Sequence, residues 1–227
     1  MTLGRLVIED RPQTVGEEIA NAISHGIGFL GAIASLPVLV AVASRHGSAM
    51  HVVAAGVFSV TMMVLYLVSA LYHAAPEGET KAFLNRLDHA AIYLFIAGTY
   101  TPFALMLLDG RNARILLGLV WGGALLGIAF RIFWIGAPRW LYLPVYIALG
   151  WAAIFWLGDF ASTAGPAVLT LIIVGGGLYS VGGLIYGLKR PNPIPRWFGF
   201  HEVFHSFTIA AFVVHYVGVS MIVYSAR

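Results

Sequence analysis

The stretch FGFHEVFHSF, residues 198–207, places His201, Glu202 and His205 in an H-E-x-x-H array. Histidines four residues apart project from one face of a helix about a turn apart, so both imidazoles can reach one metal ion. In soluble metalloproteases the glutamate of such an array is the general base, and a third ligand follows downstream. Here residues 206–227 contain no Asp or Glu, and their one histidine, His215, lies about 15 Å further along a helix from His205. A protease centre therefore lacks its third ligand, which must come from another part of the chain. His73 in SALYHAAP is the best candidate, with Ser69 one turn earlier on the same face. Three neutral imidazoles around Zn²⁺ leave one position open for water, as catalytic zinc sites do. The ion lowers the pKa of that water to about 7, and Asp88 is placed to orient it and take its proton. Iron, copper and nickel accept the same ligands.

Each residue also has a plainer reading. A lone histidine inside an apolar helix is a hydrogen-bonded packing residue more often than a ligand. Asp88 in NRLDHAA reads equally as an N-cap, and Ser69 as an interhelical hydrogen-bonding residue. Glu202 lies about 100° around the helix from His201, which favours a helix-start anion or a partner to a ligand over a catalytic base. His46 and His51 flank a loop and are expected in solvent, and His215 is expected to be buried and hydrogen-bonded.

The elements that must position these residues are membrane helices. Of 227 residues, 59% are hydrophobic and only 10% charged, with a mean hydropathy of +0.85. A soluble domain carries about 25% charged residues, so this chain cannot clothe a surface in water. It has no cysteine, which excludes disulfides and thiolate ligands. The first apolar run, from about Ile19, is long enough to span and too long for a cleavable signal. The expected class is an all-α integral membrane protein. A cytoplasmic segment, 1–18, precedes a seven-helix domain, 19–227, with spans near 19–44, 50–73, 88–108, 113–133, 140–158, 164–187 and 201–224. Asp159 is expected to end the fifth span. Gly175–Gly177 and Gly182–Gly183 in the sixth point to close helix packing, and Pro102 to a kink in the third.

Alternating the loops with the N-terminus inside puts Arg5, Arg11, Lys81, Arg86, Arg131, Arg139, Lys189, Arg190 and Arg196 on the cytoplasmic side, and Arg45, Arg111, Arg114 and Arg227 outside. That bias orients the N-terminus in and the C-terminus out. His73, Asp88, His201 and His205 then share the cytoplasmic end of the bundle. Glu17, Glu18, His25 and His89 lie at the same depth, and Glu17, His25, His89 and Glu202 are the candidates to support the ligands.

Taken together, EEIANAISHGIG (17–28), SALYHAAP (69–76), RLDHAAIYLFIAGTYTPF (86–103) and FHEVFHSF (200–207) resemble the seven-helix family of adiponectin and progestin receptors, in its bacterial hemolysin III-type branch. The resemblance covers nearly the whole chain. It implies a single Zn²⁺ on His73, His201 and His205, with Asp88 contacting a water on the metal and Ser69 near it. Through the kinship of that family with alkaline ceramidases, it also implies metal-dependent hydrolysis of a lipid amide at the plasma membrane. The long N-terminal region of the animal receptors is lacking, so the receptor role does not carry over.

Three functions compete on these observations. One is a zinc-dependent intramembrane hydrolase acting on the amide or ester of a membrane lipid or other amphipathic molecule, in lipid homeostasis. Another is a non-catalytic sensor or homeostasis protein whose zinc clamps helices. The third is a cytolysin, which needs a water-soluble stage that seven apolar spans do not provide. Nothing points to nucleic acid. A retinal pump is excluded because Lys81 and Lys189, the only lysines, lie in loops.

Overall fold

The computed structural model describes residues 13–225. Arg5, Arg11 and Arg227 of the charge count lie outside them. Eight α-helices run in order: α1 Val15–His46, α2 Ala49–Ala74, α3 Glu79–Leu107, α4 Gly110–Phe133, α5 Arg139–Gly150, α6 Leu157–Thr163, α7 Gly165–Leu188 and α8 Phe200–Ser225. A 3₁₀ turn, Ala152–Trp156, joins α5 to α6. No strand occurs among the described residues. By length and hydropathy these make seven membrane-spanning units, the fifth being Arg139–Thr163. α1 packs on α2, α2 on α3, α3 on α4 and α7 on α8, α5 lies against α3 and α7, and α8 returns to α1 to close the ring.

The fifth span departs from the expected single helix over 140–158. It breaks after Gly150 and continues beyond Asp159 to Thr163. A break at membrane depth frees backbone groups that lipid cannot satisfy. Tyr100 of α3 supplies what is missing: its hydroxyl donates to the Gly150 carbonyl oxygen at 2.6 Å and accepts from the Ala153 N–H at 3.1 Å.

The third helix also begins earlier than the expected 88, at Glu79. Its first turns are polar outside yet bury Lys81, whose Nζ donates to Glu18 Oε1 at 2.9 Å and to the Ala75 carbonyl at 3.2 Å. Asp88 is therefore two turns inside the helix, and its reading as an N-cap is corrected. Pro102 lies within α3.

Small residues set the close crossings. Gly98 of α3 faces Thr61 of α2, and an added Cβ would lie 2.6 Å from the Thr61 Cβ. Gly182 of α7 meets Phe207 and Phe204 of α8. Gly175 lies under the ring of His215, which is buried and whose Nε2 is 3.3 Å from the Ile172 carbonyl oxygen. His46 is exposed, whereas the His51 ring folds back to accept the Ser48 N–H at 3.1 Å.

Candidate metal centre

Helix α8 begins with the H-E-x-x-H array in its first two turns. Gly199 N–H donates to Glu202 Oε2 at 2.6 Å, and Asn21 Nδ2 of α1 donates to Glu202 Oε1 at 2.5 Å. Glu202 is thus a buried helix-start anion tying α8 to α1, both its oxygens engaged. That orientation leaves His201 and His205 turned toward α2.

There they meet His73. The ring centroids lie 5.1 Å apart for His73–His201, 5.2 Å for His73–His205 and 4.7 Å for His201–His205. One ring nitrogen from each lies within 4.8 Å of the other two, a group able to hold a metal ion. The ligand set is all imidazole, joining α2 to α8.

The hydrogen bonds behind the rings favour that use. His73 Nδ1–H donates to Glu18 Oε2 at 2.7 Å, while the buried Nε2 has no partner among the described residues. Ser24 donates its hydroxyl to the Asn21 carbonyl at 3.0 Å and so accepts from His205 Nδ1, 3.2 Å away. In both cases the bond fixes the tautomer and leaves Nε2 with a lone pair, as ligating histidines require. An unpartnered buried imidazole nitrogen otherwise carries a desolvation cost.

The remaining candidates divide. His25 is buried and stacks on His205, centroids 3.4 Å apart and planes 8° from parallel, with both nitrogens unpartnered. Ser69 is buried, one turn before His73, its hydroxyl unpartnered. Asp88 is half-buried, 4.0 Å from His89 Nδ1, and that nitrogen also lies 2.9 Å from the Asn85 carbonyl. Glu17 caps α1, accepting the Thr14 N–H at 2.9 Å. Glu18, adjacent to it, is the residue that holds a candidate ligand, His73. The spacing within α1 does not single it out, because Glu17, Asn21 and His25 share the buried stripe of that helix.

Asp88, Ser69, His25, His201 and His205 all line one cavity of about 1040 Å³. Most of its wall is aromatic and aliphatic, contributed by α3, α5, α7 and α8 and reaching past Phe103 to Phe160. Three of its lining residues, Ile154, Leu157 and Ile173, are also exposed on the apolar outer face.

A seven-helix membrane bundle with a three-histidine centre at one end of an internal cavity defines the class. Sequence comparison gives the family: the profile described as Haemolysin-III related matches residues 13–216. The chain is 42% identical over 196 residues to the "Hemolysin-3 homolog" of Bacillus subtilis (strain 168), covering 86% of this chain and 89% of that one. It is 42% identical over 197 residues to "Hemolysin-3" of Bacillus cereus, covering 87% of each. This chain belongs to the hemolysin III-related family.

Proposed function

We propose that the protein is a zinc-dependent intramembrane hydrolase that cleaves an amide or ester of a membrane lipid, its centre on the cytoplasmic side of the plasma membrane. The observation that carries this is the unpartnered Nε2 of His73, grouped with ring nitrogens of His201 and His205 beside a large, mainly apolar cavity. The donor chemistry fits zinc, since three neutral imidazoles leave a position open. Zinc bound there supplies Lewis-acid polarisation of a carbonyl and an activated water.

The chain's own residues do the rest. Glu18 and Ser24 hold the imidazoles of His73 and His205 in the ligating tautomer. Asp88, a cavity-lining carboxylate, accepts a proton from the attacking water and returns it to the leaving group. Ser69 offers a hydroxyl to the substrate's carbonyl region, and the apolar walls receive the acyl chain and exclude water.

The same contacts support a second reading. His73, Glu18 and Lys81 link α2, α1 and α3, and the two α8 histidines complete the ring, so a bound ion would also clamp the bundle in a non-catalytic sensor. Elemental analysis of the purified protein beside His73→Ala and the His201→Ala/His205→Ala double variant tests the centre. The expected result is one zinc per chain, lost in both variants; zinc kept by His73→Ala would overturn it. Release of fatty acid from ceramide and monoacylglycerol, abolished in both variants, is expected of the hydrolase. A zinc-loaded protein inert toward both would leave the clamp.

A further inference from the structure

The cavity has a second polar feature that the histidine centre does not use. Arg131, in the last turn of α4, is 2% exposed and lines the cavity wall. Among the described residues neither its Nε nor its Nη1 has a hydrogen-bond partner. Its guanidinium lies over the Tyr142 ring, 4.3 Å from the centroid. Arg139, at the start of α5, lies 4.2 Å over the Tyr186 ring and donates from Nη1 to the Tyr186 carbonyl oxygen at 2.8 Å. The Tyr142 and Tyr186 hydroxyls are 3.2 Å apart. Two arginines are thus bedded on two touching tyrosines, on one wall of the cavity.

The carboxylates that line this cavity lie beside groups other than Arg131. Glu18 and Glu77 lie 2.9 and 3.7 Å from Lys81 Nζ, and Asp88 Oδ2 lies 4.0 Å from His89 Nδ1. Among the described residues none comes within ion-pair distance of Arg131. A buried lysine or histidine in that position could shed its proton, but arginine stays charged. A buried cation with open donors calls for an anion. Phosphate offers three acceptor oxygens and up to two charges to a pair of guanidinium groups.

We propose that Arg131, with Arg139 beside it, forms a phosphate-binding site inside the cavity, occupied by the phosphate monoester head of a single-chain lipid whose acyl chain follows the apolar wall toward Phe103 and Phe160. The site rests on the reading of the cavity as a pocket for amphipathic lipid. It is independent of the metal and of turnover.

Binding of radiolabelled 1-oleoyl lysophosphatidate and of monoolein, the same chain without phosphate, to the purified full-length protein tests it. The wild type is expected to bind lysophosphatidate about ten- to a hundredfold more tightly, the scale of one or two charge-assisted hydrogen bonds. Arg131→Gln removes that preference while monoolein binding persists, which shows the cavity intact. Should Arg131→Gln lose monoolein as well, Arg131→Lys decides, and its preference must fall between wild type and none. Inorganic phosphate that displaces lysophosphatidate at comparable concentration would identify free phosphate as the natural occupant of the same site; displacement by lipid alone identifies the headgroup. Equal binding of the two lipids by the wild type, or a preference untouched in Arg131→Gln, would overturn the phosphate site and leave the hydrolase reading standing. Failure of the wild type to bind either lipid would remove the amphiphile cavity and this site together.

Discussion

Glu18 Oε2 lies 2.7 Å from His73 Nδ1, and Glu18 Oε1 lies 2.9 Å from Lys81 Nζ. One carboxylate thus holds the candidate ligand of α2 while a lysine of α3 holds the carboxylate. The pair of candidate ligands on α8 is set by helical spacing, but among the described residues only Glu18 hydrogen-bonds His73. Glu18→Gln is expected to weaken metal affinity by roughly 10- to 100-fold, the usual effect of removing a carboxylate behind a ligating histidine. Glu77→Gln, altering only an exposed carboxylate 3.7 Å from Lys81, is expected to change it by less than about twofold. Competition with a chelator of known affinity measures both. Equal affinities for wild type and Glu18→Gln would show that packing alone orients His73.

Asp88 separates the two functional readings. It lines the cavity with Ser69, His201 and His205 and is not among the clustered ligands. If it transfers the proton, Asp88→Asn keeps its metal content and loses about 10²- to 10⁴-fold in turnover. Metal analysis and a lipid-hydrolysis assay on one preparation check this. Loss of metal in Asp88→Asn would make it a support of the centre instead.

The close crossing of α2, the helix that carries His73, with α3 depends on Gly98. Because a Cβ there would lie 2.6 Å from the Thr61 Cβ, Gly98→Ala is expected to destabilise the bundle by about 1–3 kcal/mol. Thr61→Gly in the same chain should recover part of that loss. Thermal unfolding in detergent reads both, and an unchanged midpoint in Gly98→Ala would show that the helices shift freely.

All seven spans were legible because lipid imposes a length and a composition on a helix, and those are sequence properties. The ends were less so. The segment ETKAFLNR reads as a polar separator, yet it forms the first turns of α3 because Glu18, sixty-odd residues earlier, takes up the charge of Lys81. The break in the fifth span was hidden for a similar reason, since the group that satisfies it, the Tyr100 hydroxyl, is far off in the chain. At the site, the i, i+4 spacing of His201 and His205 carried its own geometry. The choice between Glu17 and Glu18 did not, because adjacent residues point about 100° apart and only the position of α2 selects between them. Arg131 passed as one charge among nine on the side assigned to the cytoplasm; its burial depends on Tyr142 of the next span.

The orientation rests on the distribution of Lys and Arg, and the chain's lack of cysteine makes it directly measurable. Ser48, in the α1–α2 connection, and Glu77 and Asn192, in the α2–α3 and α7–α8 connections, are exposed. With the N-terminus inside, Ser48→Cys in intact cells reacts with a membrane-impermeant maleimide. Glu77→Cys and Asn192→Cys react only after the membrane is opened. The centre follows from the same result, because His73 closes α2 four residues before Glu77 and His201 opens α8 nine residues after Asn192. Labelling of Glu77→Cys and Asn192→Cys in intact cells, with Ser48→Cys protected, would place the histidines at the outer face and move any hydrolysis to the outer leaflet.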